Sequence, residues 1–225
     1  MKPIFLFLLF SSLVVGSQTP ISKTIGEFSE LKVYDLINVE LIESKENKIE
    51  ITGEDASSVL IVQKNDILKI KMALNKSFNG NKTFVKLFFT KINIIDANEG
   101  ARVFSKSIFK QYELEIKSQE GAKISVITDT NLLSIKSVTG GIINTSGKTN
   151  TQNIKLRTGG VYKGSLLQAE NSIIKIKTGG VANVSSSELV EVKIIAGGDL
   201  ILHKNPKKIK QINIIGGRVI YKENE

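Results

Sequence analysis

The 225-residue chain contains no cysteine and no tryptophan, one histidine and three prolines, and only 6% of its residues are aromatic. The absence of cysteine excludes a disulfide framework, so packing and hydrogen bonding alone must hold the fold together. The single histidine, His203, has no cysteine or second histidine to complete a zinc ligand set. We therefore expect neither a metal ion nor another cofactor.

Acidic residues are also scarce where catalysis would need them. From residue 101 onward the only aspartates are Asp129 and Asp199, and the glutamates of this half do not recur on successive repeats. Polysaccharide lyases and hydrolases need clustered carboxylates. The stretch KGSLL at 163–167 lacks the second glycine of a nucleophile elbow. The sequence predicts a non-enzyme, and a polysaccharide-processing lyase or hydrolase is the alternative.

The first 17 residues have the pattern of a secretory signal peptide. In MKPIFLFLLFSSLVVGSQ, Lys2 precedes an apolar run, and small residues suit cleavage before Gln18. The run is shorter than the roughly 20 residues that span a bilayer, although an uncleaved N-terminal anchor is the alternative. We expect an exported protein, in the periplasm, at the cell surface or secreted, with no transmembrane segment after removal of residues 1–17.

Basic residues outnumber acidic ones. The chain carries 31 lysines and arginines against 22 aspartates and glutamates, a formal charge of +9 that falls to +8 when Lys2 is removed with the signal peptide. Such a surface favours polyanions. Outside the cytoplasm these are anionic polysaccharides or other envelope polymers, so we expect no nucleic acid partner. The oligomeric state does not follow from the sequence.

Glycine pairs recur at a nearly constant interval. Their steps are 19, 20, 18 and 19 residues, and two degenerate copies, at Gly100 and Gly121, extend the series to seven. The pairs are Gly140–Gly141, Gly159–Gly160, Gly179–Gly180, Gly197–Gly198 and Gly216–Gly217. A period of this length is typical of stacked repeats.

Alignment on the first glycine shows columns of like residues. An aliphatic residue stands five positions before it in six of the seven copies and, in most copies, three positions after it. Lysine stands four positions before it in five successive copies, at Lys117, Lys136, Lys155, Lys175 and Lys193. Aliphatic residues alternate with lysine, which indicates half-buried strands.

Two all-β architectures fit this pattern. The glycines could be hairpin turns of an antiparallel meander or barrel. Alternatively, each period is one coil of a single-stranded parallel β-helix, and the glycines form a corner that admits no Cβ. Coils stacked about 4.8 Å apart require each column to repeat the same chemistry, which favours the β-helix. We predict one continuous domain over 18–225, with strand-rich N-terminal coils or a cap at 18–98 and regular repeats with a C-terminal cap at 99–225.

The export signal, the serial TGG coils and the closing GGDLILHKNPKKIKQINIIGGRV resemble the head GIN domain family of auto-transporter adhesins, exported proteins of Gram-negative bacteria. The resemblance covers roughly residues 28 to 220. It implies a right-handed parallel β-helix without enzymatic activity, and it supplies no catalytic residues. The corners here read TGG, AGG and IGG, whereas the family commonly has a serine there.

The lysine column is the candidate binding site. We define it as Lys117, Lys136, Lys155, Lys175 and Lys193, with Arg157 and Lys177 beside it, and we hypothesise that it binds polyanions. The alternative is a solvated outward face whose ends are relieved by Glu115 and Glu191. The glycine pairs lack the following helix of a phosphate-binding loop, so we assign them to backbone geometry alone.

Overall fold

The structure is a computed structural model that describes residues 20–222. The predicted signal peptide, residues 1–17, and its cleavage site before Gln18 lie outside the described residues. Within 20–222, no helix is long and apolar enough to cross a membrane.

The N-terminal half, residues 20–98, contains eight short strands. They are β1 (Ile21–Thr24), β2 (Glu30–Val33), β3 (Asn38–Glu43), β4 (Lys48–Gly53), β5 (Val59–Lys64), β6 (Ile67–Met72), β7 (Thr83–Phe89) and β8 (Ile94–Ala97). Three single-turn 3₁₀ helices, Ala56–Ser58, Leu74–Lys76 and Gly80–Lys82, connect some of them. Strands β1, β4 and β7 pair antiparallel, as do β5 and β6, whereas β2, β3 and β8 pair in parallel with their neighbours.

The second half is a stack of long coils. Its strands are β9 (Arg102–Ser118), β10 (Lys123–Val138), β11 (Ile142–Arg157), β12 (Val161–Lys177), β13 (Gly180–Ile195), β14 (Gly198–Leu202), β15 (Lys208–Ile214) and β16 (Gly217–Tyr221). Strands of 16 or 17 residues far exceed the usual length of about 5–6 residues, because each of them winds through almost a whole coil.

All pairings between successive coils are parallel. Ile124 lies opposite Ile143 in β10 and β11, and Ile135 lies opposite Ile154. The predicted parallel β-solenoid with coils of about 19 residues is therefore confirmed, and the antiparallel meander is wrong for this half of the chain.

The two aliphatic columns form the core. The column five residues before the glycine is fully buried at Ile95, Ile116, Ile135, Ile154, Ile174 and Val192. The column three residues after it is buried at Val103, Ile124, Ile143, Tyr162, Ala182 and Leu200, and only Val219, in the last coil, is half-buried. Burial of these aliphatic side chains supplies the main driving force for stacking.

Six of the corners, from Glu99–Gly100 to Ala196–Gly197, have two consecutive residues at positive φ. In the turn Val138–Gly141, Thr139 has φ 49° and Gly140 has φ 71°, and the Gly141 amide donates to the Val138 carbonyl at 3.0 Å. Positive φ at both central positions is the signature of a type I′ turn. The Gly140 amide also donates to Thr158 O of the next coil at 3.2 Å, so the turns are stacked as the strands are.

The two glycines of a pair are required for different reasons. The first has positive φ and faces open space: a Cβ added at Gly159, φ 72°, would meet nothing within 4 Å. The second packs tightly, because a Cβ at Gly160 would lie 2.2 Å from the Ser137 carbonyl oxygen of the preceding coil. The first glycines of the remaining pairs, Gly179, Gly197 and Gly216, also have positive φ, and a Cβ at Gly180, Gly198 or Gly217 would meet side-chain atoms of earlier coils within 2.7 Å.

The same turn also occurs once in the N-terminal half. Asp35 and Leu36 have φ 58° and 64°, the Ile37 amide donates to the Tyr34 carbonyl at 3.3 Å, and the Leu36 amide donates to Glu99 O at 2.9 Å. Two backbone amides, of Met72 and Phe78, donate to the buried Asp35 carboxylate and hold this turn in place. Sequence alignment missed the copy because leucine replaces the marker glycine.

A chain of buried hydrogen bonds crosses three coils inside the solenoid. Tyr162 is fully buried, its hydroxyl lies 2.7 Å from Thr145 Oγ1, and it donates to Gln152 Oε1 at 2.8 Å. Gln152 Nε2 donates to Ser172 Oγ at 2.8 Å, and Ser172 contacts Ser186. The tyrosine fits because Gly164 leaves room: a Cβ there would lie 2.5 Å from the Tyr162 hydroxyl.

The two glycines of one corner provide a matched test. We expect Gly160→Ala to lower the free energy of unfolding by about 2–3 kcal/mol, because its Cβ overlaps a carbonyl oxygen that cannot retreat without moving a coil. Gly159→Asn should change it by about 1 kcal/mol or less, because asparagine tolerates positive φ and the space is open. Urea unfolding followed by circular dichroism measures both, and equal losses would contradict the distinction.

Removal of the Tyr162 hydroxyl should destabilise the core in a pH-dependent way. Tyr162→Phe leaves buried partners unsatisfied, at a cost of about 1–3 kcal/mol near neutral pH. Burial raises the pKa of Tyr162 above its ordinary 10.0. Above about pH 10 the tyrosine ionises in the unfolded chain but stays protonated in the folded one, so the parent loses this stabilisation as pH rises. The difference between the free energies of unfolding of parent and variant should therefore be smaller at pH 11 than at pH 8. An unchanged difference would contradict burial of a neutral phenol.

Candidate functional site

The predicted lysine column is a continuous row in the structure. The register of β9 to β13 places Lys117, Lys136, Lys155, Lys175 and Lys193 directly opposite one another in successive coils. Arg157 and Lys177 are opposite each other two residues further along. Each lysine points outward because its two neighbours along the strand belong to the buried core.

An ion pair relieves only the Lys117 end of the lysine column. Lys117 Nζ lies 3.1 Å from the Glu115 carboxylate, whereas Glu191 pairs with Lys210 of the last coil rather than with Lys193. Within residues 20–222, no carboxylate lies within 4.0 Å of the charged groups of Lys136, Lys155 or Lys175. The prediction that Glu191 relieves the far end is therefore wrong, because Glu191 turns toward Lys210.

The charges of neighbouring cations act on Lys175. The nearby charge of Lys177 lowers the pKa of Lys175, and partial loss of solvent and the charges of Lys193, Arg157 and Lys155 add to the effect. The Lys136, Lys155 and Lys175 side chains are exposed, whereas Lys117, Lys177 and Lys193 are half-buried. A region in which cations are pressed together without counter-charges favours an anionic ligand.

The column extends toward the N terminus with a different charge pattern. Asp96 lies opposite Lys117, and Lys32 lies opposite Asp96. Lys32 Nζ contacts Glu30 at 2.7 Å and Asp96 at 3.0 Å. Partial burial opposes the charge of Lys32, but the hydrogen bonds that Lys32 donates to Glu30 and Asp96 outweigh it and raise the pKa of Lys32. This end is therefore neutralised, and the exposed cationic surface begins at Lys136.

Among the described residues, neither the histidine nor the acidic side chains form a metal centre. His203 Nε2 lies 2.9 Å from Asn183 Oδ1, and partial burial together with the charge of Lys222 lowers the pKa of the imidazole. Over the described range 20–222, no three His, Cys, Asp or Glu side chains are grouped to hold a metal ion. Asp199 is bound by Arg218 through two hydrogen bonds of 2.9 and 2.7 Å.

Comparison with known proteins identifies the family. The profile described as "Putative auto-transporter adhesin, head GIN domain" matches residues 27–206. The chain belongs to the head GIN domain family. The resemblance drawn from the serial glycine corners and the closing repeat is thus confirmed, and no curated protein matches this head GIN domain in sequence.

Solved structures similar to this head GIN domain share its fold at low sequence identity. A "putative adhesin" from Bacteroides fragilis has a TM-score of 0.81 at 15% identity, covering 92% of this chain and 98% of that one. A "putative adhesin" from Parabacteroides merdae has a TM-score of 0.68 at 20% identity with the same coverage. A "putative lipid binding protein" from Parabacteroides distasonis has a TM-score of 0.66 at 15% identity, again covering 92% and 98%.

Repulsion within the lysine column should lower the stability of the fold, which urea unfolding measures. We expect Lys175→Gln to raise the urea midpoint of this head GIN domain in low salt and to have a smaller effect in 0.5 M NaCl, because salt screens exposed charges. Lys163→Gln is the matched control, since Lys163 lies between Asn144 and Asn183 in the stack. If Lys175→Gln destabilises the protein, or matches the control at every salt concentration, the column is not under electrostatic strain.

Proposed function

We propose that this head GIN domain is a non-catalytic, adhesin-like binding module that is exported to the cell envelope or beyond and binds anionic polysaccharide along the lysine column. The observation that carries the proposal is the cluster of cations at Lys136, Lys155 and Lys175, which has no nearby carboxylate in the described chain. Membership of an adhesin family supports a binding role rather than catalysis.

The spacing of the column suits a polymer better than a small anion. The backbones of successive lysines in a parallel sheet are about 4.8 Å apart, and Lys136 to Lys193 spans three such steps, roughly 14 Å. Arg157 and Lys177 widen the row by a second cationic column. Carboxylate or sulfate groups that repeat along a polysaccharide would therefore contact several cations at once, and each contact would also relieve the repulsion between neighbouring coils.

A polysaccharide lyase or hydrolase is the alternative from a different class. Such an enzyme needs a pair of free carboxylates, and the two aspartates of the repeats are both bound to cations: Asp129 lies 3.5 Å from Lys148, and Asp199 is held by Arg218. The pKa of one carboxyl group, Glu99, is raised, by partial burial and by the charge of Asp35, but both residues belong to the stacked corner turns. Turnover of a polysaccharide by the mature chain would favour the alternative.

Charge reversal in the column tests the proposal. We expect Lys155→Glu/Lys175→Glu to weaken binding to dextran sulfate and polygalacturonate at least tenfold at 50 mM NaCl. The parent should also bind more weakly at 300 mM NaCl, because the attraction between exposed charges is screened. Calorimetric titration of the mature protein gives both affinities.

The control keeps the change in net charge but alters its position. Lys64→Glu/Lys163→Glu places the same reversals on exposed side chains outside the column and should retain most of the parent's affinity. If both double variants lose affinity equally, binding depends on net charge alone. If neither loses it, the lysine column is not the binding site.

A further inference from the structure

A second row of outward side chains runs along a different corner of the solenoid. The row consists of one residue from each of four successive coils: Tyr112, Asn131, Asn150 and Glu170. The residues just before them lie opposite one another in the stack: Gln111, Thr130, Thr149 and Ala169. The residues just after them do so too: Glu113, Leu132, Thr151 and Asn171. The four residues therefore stack in four successive coils about 4.8 Å apart. We call them the amide column.

The amide column is exposed, although in three of its four coils the residue just before it is buried. Tyr112 is 72% exposed, an unusually high fraction for an aromatic side chain that gains free energy from burial. Thr130, Thr149 and Ala169, one residue earlier in their coils, are buried. The backbone at this corner is thus fixed by the core, while the column presents an aromatic ring, two amides and a carboxylate to solvent.

Two grooves lie at this corner. Asn131, Asn150 and Glu170 line a groove of about 440 Å³ that continues past Ser185 and Ser187, so it crosses β10 to β13. Tyr112 lines a second groove of about 500 Å³ beside β9. The two grooves share no lining residue, but Tyr112 and Asn131 are neighbours in the column, so the grooves follow one another along the same corner.

The charge of this corner distinguishes it from the lysine column. In the neighbouring outward row Asp129 stands between Lys110 and Lys148, and Lys148 Nζ lies 3.5 Å from the Asp129 carboxylate, which leaves that row with one net positive charge. Glu170 adds one negative charge to the column itself, and the Asn150 amide donates to Asn131 Oδ1 at 3.4 Å. A nearly neutral, polar groove on a protein with a formal charge of +9 is poorly suited to a polyanion.

We propose that the amide column binds an extended, uncharged polysaccharide whose chain runs along the solenoid axis. The two amide groups offer paired donors and acceptors to the hydroxyl groups of a sugar ring, and the Glu170 carboxylate accepts from them. The exposed face of Tyr112 stacks on the apolar C–H face of a ring at one end of the groove. The coil spacing is close to the length of one sugar ring in an extended chain, so successive coils meet successive sugars.

Tyrosine fluorescence reports binding directly, because the chain has no tryptophan and only four tyrosines. The mature protein is titrated with dextran, laminarin and xylan oligosaccharides in 0.5 M NaCl, which suppresses contacts with the lysine column. We expect at least one of these probes to change the emission of the parent and to bind with an affinity that is independent of salt.

Three variants identify the site. Tyr112→Ala and Asn131→Ala/Asn150→Ala should each weaken binding by calorimetry at least tenfold, whereas Tyr112→Phe should retain it, because the ring remains. All three change exposed residues and should leave the thermal midpoint unchanged. Lys155→Glu/Lys175→Glu should bind the neutral probe as the parent does, so the amide column is tested separately from the lysine column. The proposal is wrong if no neutral probe binds, or if the alanine variants bind like the parent.

Discussion

Parallel stacking in register places every residue of a coil directly against its counterpart in the next coil, about 4.8 Å away. The effect of one type of side chain, whether stabilising or destabilising, is therefore repeated from coil to coil. Isoleucine repeated at an inward position becomes a continuous core, and glycine repeated at a corner becomes a stack of type I′ turns. Lysine repeated at an outward position becomes a row of like charges that the packing of the core must hold together.

The interior shows how this constraint applies to polar groups. Several buried polar groups have their partner in an adjacent coil, as Tyr162 does with Thr145 and Gln152 with Ser172, whereas the buried Thr128 hydroxyl has no partner among the described residues. Such groups are tolerated because the stack supplies partners at fixed distances. The outer surface has more freedom, and it is there that the two candidate binding columns differ: the lysine column is cationic and unpaired at its centre, and the amide column is nearly neutral and concave.

Much of this structure could be predicted from the sequence, because each coil of a solenoid appears as one repeat in the sequence. Seven glycine corners, both core columns and the alignment of the five lysines all follow from a 19-residue spacing. The turn at Asp35–Leu36 was missed because leucine occupies the position marked elsewhere by glycine. The amide column was missed because its four members are of three different residue types, so no repeated letter marks it.

The sequence by itself determined the repeat, the inward and outward alternation and the strand-rich class, since these depend on periodicity within one chain. Only the tertiary structure decided which groups meet between coils: that Glu191 turns to Lys210, that Asp96 neutralises Lys32, and that Tyr112 aligns with Asn131. It also decided how residues 20–98 join the stack of coils: β3 pairs directly with β9, although β4 to β8 lie between them in the chain. The reason is that contacts between coils depend on register, bulges and the direction of each side chain, which local spacing does not specify.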